Sequence, residues 1–170
     1  MRNSFIIISK AIRGLSVSKL FQLLQLFFTH PLFSFMGFWA TMKAFAIAQK
    51  KFPTTASSNG IGNAFRHALW SSLILSYCAK ISSVEKAKKY SLDMTNLHEE
   101  LFPNSDLEKK MDLHNNQIGV NLFLQMLPGI HRQFFETSFL VEEISQKLNS
   151  AKIVEHLSDD FGVELVYLEA

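Results

Sequence analysis

The sequence predicts an all-α protein, in which residues 1–170 form a single compact helical bundle of about six to eight helices with a short extended C-terminal tail. Apolar residues recur at spacings of three and four along most of the chain, which is the period of an amphipathic helix. Prolines and glycines interrupt this pattern in places that suit turns. Only residues 163–168 have the composition of a strand. The length fits one domain that buries a core of its own.

The amino-terminal part, residues 1–52, predicts apolar helices that carry basic side chains. We expect a short retained helix over residues 1–14, an amphipathic helix over 16–28 and another over 32–51. Pro31 separates the last two, because proline disfavours helix in the residue before it. The uncharged stretch here is long enough to span a bilayer, but its first half is apolar on one side only. We therefore favour two packed or interfacial helices over a membrane span.

Residues 53–127 predict the motif-bearing core helices. Ser83 suits a helix N-cap, and Ser105 with Glu108 has the spacing of a capping box. We expect core helices over residues 63–82, 84–102 and 106–127. In the last part, residues 128–170, we expect helices over 131–149 and 151–161, followed by an extended segment over 163–168 that has no partner strand.

Charge is distributed unevenly along the chain. Residues 1–84 contain nine Lys or Arg and no acidic residue, whereas residues 85–170 contain eight basic and fifteen acidic residues. Either the two halves pack on each other, or the basic and apolar half (residues 1–52) faces an anionic membrane surface. Nucleic acid is an unlikely partner because the basic residues are spread singly among apolar ones. The single Cys78 gives no support for an exported protein with disulfide bonds, so we expect a cytoplasmic protein. The basic and apolar half adds the expectation that it is peripheral at the inner face of the membrane.

Polar residues interrupt the apolar face of each core helix. In the first helix, Asn63, His67 and Trp70 share one face, with Arg66 at its edge. The second helix presents Thr95, His98 and Glu99, and the third presents Asp112, His114, Asn115 and Asn116. The three motifs that contain these residues are Asn63-Ala-Phe-Arg-His-Ala-Leu-Trp70, Thr95-Asn-Leu-His-Glu99 and Met111-Asp-Leu-His-Asn-Asn116. Burying such groups costs roughly 1 to 3 kcal/mol each without partners. We therefore expect the three insertions to meet in one buried pocket.

Asp112 is the exception to this convergence. In an unbroken helix it lies about 200° around the axis from His114, so the two side chains cannot reach a common ion. Either the helix is distorted near Met111, or Asp112 orients an imidazole by accepting its hydrogen bond.

The pocket predicts a metal-dependent hydrolase. Imidazole and carboxylate are ligands that suit zinc, iron or manganese, and such a divalent ion lowers the pKa of bound water. The expected ligands are His67, His98, Asp112 and His114. Expected catalytic residues are Glu99, Asp112 and Arg66, and the pocket is completed by Asn63, Trp70, Thr95, Asn115 and Asn116. The basic apolar half suggests a small-molecule or lipid substrate, either a phosphate ester or a membrane-associated ester.

Two other functions remain open at this point. One is a metal-free acid–base pair of His and Glu with Ser71 or Thr95 as nucleophile, although no nucleophile-elbow motif supports it. The other is a non-enzymatic domain, in which the polar residues fix helix register and the amino-terminal helices bind a membrane or a partner protein.

The three motifs in this order resemble an uncharacterised bacterial family built around R-H-A-x-W, H-E and D-x-H-N-N, with a likeness that runs from about residue 35 to 125. The resemblance implies that these positions belong together, and it implies no settled activity. The order also loosely resembles HD phosphohydrolases. However, His98-Glu99 stands where that pattern has His-Asp, so the HD metal ligands are not carried over.

Overall fold

The computed structural model describes residues 14–169. Within this range six α-helices pack as one bundle, which confirms the predicted all-α class. Their bounds are α1 Val17–Thr29, α2 Pro31–Lys51, α3 Ile61–Ile81, α4 Val84–Leu101, α5 Asp106–Met126 and α6 Thr137–Lys147. Short 3-10 turns follow at Arg132–Phe134 and Leu148–Ser150, and two short strands complete the fold: β1 Lys152–Ile153 and β2 Val166–Tyr167. The helix predicted for residues 1–14 lies almost wholly outside the described residues, which include only Gly14 of that segment.

Helix α3 is the centre of the bundle. Sixteen of its 21 residues are buried, and α2, α4, α5 and α6 surround it. Small residues allow close approach on the side that faces α5. There Gly119 of α5 lies so near α3 that a Cβ atom in its place would be 2.0 Å from the carbonyl oxygen of Ala68. This crossing sets the distance between the two helices that carry the first and third motifs.

The ends of the core helices follow the sequence closely. The Ser83 side chain accepts a hydrogen bond from the amide of Lys86 at the start of α4. At the start of α5, Ser105 and Glu108 form the predicted capping box, in which each side chain bonds the other residue's backbone amide. These caps fix where α4 and α5 begin, and therefore which of their faces turn toward α3.

Helices α1 and α2 lie at the edge of the bundle. None of the 13 residues of α1 is buried, and most of their apolar side chains are exposed. Among the described residues, α2 is the one helix long and apolar enough to cross a membrane by length and composition, although a third of its most apolar window is buried within the protein. Its small residues pack on α3, among them Ala40, Ala44 and Ala48.

The C-terminal part corrects three predictions. No helix forms over 151–161, because the Asp159 carboxylate accepts hydrogen bonds from the amides of Glu155 and His156 and holds a turn there. The extended segment does have a partner, since β2 pairs in parallel with β1. The helix expected over 131–149 is shorter, because α6 begins only at Thr137.

The buried side chain of Asn115 holds β2 against α5. Its Nδ2 donates to the carbonyl of Val166 (2.8 Å), and its Oδ1 accepts from the amide of the same residue (3.0 Å). The amides of Lys152 in β1 and of Val154 just after it donate instead to the carbonyls of Leu165 and Tyr167, on either side of Val166. The prediction that Asn115 lines the pocket is corrected, because both ends of its amide bond the backbone of the strand.

Replacing Asn115 with Ala is expected to lower the free energy of unfolding by about 3 kcal/mol, because it leaves two buried backbone groups without partners. Urea denaturation followed by circular dichroism would measure the change. Asn121→Ala, on an exposed position of the same helix, serves as the control and should stay within about 0.5 kcal/mol of wild type. Equal stability of the two variants would contradict the role of Asn115.

Candidate functional site

Helices α3, α4 and α5 bring three potential metal ligands together. His67, Glu99 and Asp112 each offer one ligand atom, and these atoms lie within 4.8 Å of one another. All three residues are buried. This group is called the three-residue cluster below. It draws one member from each motif, so the predicted convergence of the three core helices is observed for these residues.

Hydrogen bonds hold the α3 and α5 sides of the cluster. Asn63 Nδ2 donates to Asp112 Oδ1 (2.8 Å), and the same oxygen lies 3.5 Å from His67 Nε2. Arg66 Nη2 donates to Asn63 Oδ1 and lies 3.0 Å from His67 Nε2. Because a guanidinium can only donate, His67 Nε2 acts as the acceptor of this bond, which is the behaviour of a neutral imidazole.

Burial shapes the protonation of every group in the cluster. It lowers the pKa of His67 well below its usual value, and the nearby Arg66 charge lowers it further. Burial, followed by the charge of Asp112, raises the pKa of Glu99 to about 8. The pKa of Asp112 rises to about 6, mainly through burial and against the opposing effect of Arg66. Burial therefore favours the uncharged form of all three side chains, and a nearby positive charge would favour the ionised form of the two carboxyl groups.

Unsatisfied polar atoms are concentrated at this site. Within the part of the chain that the structure describes, five buried side-chain atoms have no hydrogen-bond partner, and they belong to four neighbouring residues. These atoms are Arg66 Nε, His67 Nδ1, Glu99 Oε1, and Asn116 Nδ2 and Oδ1. A buried polar atom without a partner costs about 1–3 kcal/mol, so five of them in one place set this site apart from an ordinary packed core.

His98 lies beside the cluster but is not part of it. Its ring centroid is 6.2 Å from that of His67, and 5.0 Å from each of the rings of Trp70 and Phe102. Burial, followed by the charge of Arg66, lowers its pKa to about 4, so the imidazole is neutral near pH 7. The side chain is half-buried and faces an apolar groove.

His114 does not reach the cluster, which corrects its prediction as a ligand. Helix α5 is continuous from Asp106 to Met126, so Asp112 and His114 point to different sides of it. The His114 Nε2 atom instead lies 2.8 Å from the carbonyl oxygen of Glu164, and its ring packs edge-on against Phe161. The first alternative for Asp112, a distorted helix, is therefore not needed to bring it to the cluster, because Asp112 itself faces the pocket.

The hydroxyls considered as nucleophiles have other roles. Ser71 Oγ donates to the carbonyls of Asn116 (2.7 Å) and Ala68 (3.2 Å) at the crossing of α3 and α5. Thr95 is buried, but its Oγ1 donates to the carbonyl of Leu92 within its own helix. Neither hydroxyl hydrogen-bonds an imidazole, so the geometry gives no support to a serine or threonine mechanism.

Comparison with known proteins identifies the same region. Residues 24–152 match the family described as Domain of unknown function (DUF6973). The chain belongs to this family. No curated protein and no solved structure matches the chain. The DUF6973 match includes the whole of α3, α4 and α5, and thus all of the three-residue cluster. It confirms membership in an uncharacterised family, while the looser likeness to HD phosphohydrolases is not shown.

A feature that the sequence did not predict lies on the other side of His98. Between α1, α2 and α4 of this DUF6973 chain there is a groove of about 410 Å³, lined almost wholly by apolar side chains, with Trp70 and His98 among its lining residues. We call it the apolar groove. The signal in the sequence was the apolar stripe of α1, but its spacing fits a packed helix equally well. Trp70, predicted to help complete the polar pocket, is buried and forms part of the groove wall.

Proposed function

We propose that this protein is a metal-dependent hydrolase whose divalent ion is held by the three-residue cluster. The observation that carries the proposal is the approach of one imidazole and two carboxylates to within 4.8 Å in a buried site. Nitrogen and oxygen ligands lie about 2.0–2.2 Å from a tetrahedral zinc, which places them roughly 3.3–3.6 Å from one another, so the ligand atoms of the cluster would draw together by about 1 Å on binding. Zinc, iron and manganese all suit this ligand set.

The chemistry of the proposal is hydrolysis of an ester. An ion in this site would lower the pKa of a bound water toward neutrality, which supplies a nucleophile at neutral pH. Arg66 is a half-buried cation next to the cluster, and its buried, unpaired Nε is suited to bind an anionic or developing negative oxygen of the substrate. Asn116, which lies beside His67 with both amide atoms unpaired, is suited to orient either the imidazole or the substrate.

Elemental analysis after reconstitution tests the proposal directly. Purified protein is stripped with a chelator, incubated in parallel with zinc, manganese or ferrous iron, and desalted. About one metal atom per chain is expected with at least one ion, together with a rise in the thermal unfolding temperature. A chain that retains no metal under any of these conditions would rule out the site.

The pH dependence of stability is expected to reverse when metal binds. In metal-free protein, the raised pKa of Glu99 contributes stability that is fully present below its ordinary value of 4.5 and is lost as the pH rises through about 8. A bound ion favours the carboxylate instead, so its stabilisation grows over the same range. Urea midpoints at several pH values, with chelator and with metal, measure both trends. Because the raised pKa of Asp112, about 6, adds a decline of its own at lower pH, the variant is compared with wild type between about pH 6 and 8. If Glu99→Gln keeps the decline over that interval in metal-free protein, Glu99 is not its cause.

A second proposal concerns the membrane. Large apolar side chains on α1 and α2 are exposed together, including Phe21, Phe28, Leu32, Phe35 and Trp39. Exposed apolar patches of this kind mark interaction surfaces, and aromatic side chains are favoured at the membrane–water interface. Together with the basic charge of this half of the chain, they support peripheral binding to an anionic bilayer at the inner face of the membrane. This would also be the function of a non-enzymatic domain whose buried polar residues are structural.

Liposome flotation tests this second proposal. Wild-type protein is expected to float with vesicles that contain phosphatidylglycerol, and Phe28→Ser combined with Phe35→Ser should abolish flotation. Phe134→Ser provides the matched control, because Phe134 is about as exposed (76%) as Phe28 (74%) but lies outside α1 and α2. Equal flotation of the double variant and the control would contradict membrane binding through these helices.

A further inference from the structure

The apolar groove has a wall with no free hydrogen-bonding group along most of its length. Tyr90 Oη donates to Ser34 Oγ (3.0 Å), and Trp70 Nε1 donates to Thr41 Oγ1 (2.8 Å). The two hydroxyls in turn donate to backbone carbonyls of their own helices or of α1. A ligand in the groove therefore meets apolar contacts but no free hydrogen-bond donor or acceptor along this part of the wall. A peptide backbone there would lose its hydrogen bonds to water without replacement.

His98 is the exception in this wall. It lies where the groove meets the polar interior, with Trp70 against one side of its ring and His67 of the three-residue cluster 6.2 Å away between ring centroids. An occupant that fits both environments is apolar along its length and polar at one end. This is the chemistry of a long aliphatic chain that ends in an acyl group.

The size and position of the groove agree with this occupant. Its volume of about 410 Å³ lies in the range of about 300–1,000 Å³ that is typical of small-molecule sites. The helices that form it also carry the exposed aromatic side chains of the proposed membrane surface, such as Phe35 and Phe38, which themselves line the groove. A chain could thus enter from a bilayer without crossing water.

We propose that the apolar groove binds one aliphatic chain of a lipid ester, so that the carboxylic ester linkage at the end of the chain lies beside His98 and next to the three-residue cluster. This inference rests on the proposed hydrolase function for the reaction itself. The proposed binding mode selects the acyl ester as the bond that is cleaved, because the ester is the first polar group after the aliphatic chain. The phosphodiester of a phospholipid would lie farther from His98 and the three-residue cluster. The reaction is balanced by one water: its oxygen bonds to the carbonyl carbon, the bond from that carbon to the alcohol oxygen breaks, and the alcohol oxygen takes the released proton.

Binding of fatty-acid product analogues tests the groove separately from catalysis. Octanoate, decanoate and dodecanoate, each below its micelle concentration, are titrated calorimetrically into full-length protein treated with chelator. One site per chain is expected, with affinity increasing about threefold to fourfold for each added methylene group. No binding, or affinity that does not depend on chain length, would overturn the inference.

Variants that fill the groove locate the site. Leu97→Trp adds bulk to the α4 wall, and Asn96→Trp adds the same bulk at an exposed neighbouring position. Leu97→Trp is expected to weaken dodecanoate binding at least tenfold, and Asn96→Trp is expected to leave it unchanged. If Leu97→Trp does not fold, Leu23→Trp on α1 replaces it, with the exposed Gln22→Trp as its control. Equal affinity of a groove variant and its control would overturn the assignment.

Metal analysis of the same samples keeps the two proposals apart. Chain-length-dependent binding in protein that takes up no metal would support the groove and contradict the metal site. Metal uptake in protein that binds no fatty acid would overturn the groove and leave the proposed hydrolase in place.

Discussion

Replacing Glu99 with Gln is expected to lower metal affinity by at least about 100-fold and to abolish hydrolysis, while leaving the protein folded. Even residues that only orient a metal ligand change affinity by about 10–100-fold, so loss of a ligand oxygen should cost at least as much. The fold should tolerate the change, because Glu99 Oε1 has no hydrogen-bond partner to lose and because a neutral amide removes a buried carboxyl whose pKa is raised to about 8. Calorimetric titration with zinc and thermal denaturation would measure both effects.

The neighbouring Glu100 gives a control with the same chemistry. It is exposed on the same helix, so Glu100→Gln should retain wild-type metal affinity and stability. If the buried polar residues only fix helix register, as in the non-enzymatic alternative, a different result is expected. Glu99→Gln would then resemble wild type in both metal affinity and stability. If Glu99→Gln and Glu100→Gln bind metal equally well, the three-residue cluster is not a metal site.

The core helices could be predicted because their signals are local. Ser105 and Glu108 satisfy each other's backbone amides over three residues, and Ser83 caps α4 in the same way, so the sequence alone predicts where α4 and α5 begin. The near-complete burial of α3 was harder to foresee. It depends on how closely neighbouring helices approach, which is decided by side chains far apart in sequence.

The candidate site was predicted in part, for a geometric reason. His67, Glu99 and Asp112 are brought together as the convergence of three motifs implied. His114 was included because imidazole is a common ligand, although the helical angle already placed it away from Asp112. Its side chain faces the C-terminal segment instead, where it meets the carbonyl of Glu164, and no spacing in the sequence could reveal that partner.

The C-terminal segment shows where local reasoning fails. Residues 151–161 have helical spacing, but the carboxylate of Asp159 bonds two preceding amides, and Gly162 adopts a positive φ of 59°. The pairing of β1 with β2 joins strands of two residues each, which are too short to leave a pattern in the sequence. It also depends on Asn115 of α5, about 50 positions away in the chain.

Replacing Gly119 with Ala is expected to lower the free energy of unfolding by about 3 kcal/mol. The added Cβ would lie 2.0 Å from the carbonyl oxygen of Ala68 and 2.5 Å from Ser71 Oγ, so the α3 backbone itself has to move. Alanine favours a helix over glycine by only about 1 kcal/mol, which the packing conflict outweighs. Thermal denaturation should show an unfolding temperature lower by about 6–12 °C.

The same substitution is expected to weaken metal binding, because it pushes apart the helices that carry His67 and Asp112. Gly129→Ala is the matched control: its nearest neighbour, the carbonyl oxygen of Met126, would be an ordinary 3.7 Å from the new Cβ, and its stability should stay within about 1 kcal/mol of wild type. Metal affinity is compared below the unfolding range of both variants, so that loss of affinity is not loss of fold. An unchanged affinity and unfolding temperature in Gly119→Ala would mean that the crossing of α3 and α5 does not set the spacing of the cluster.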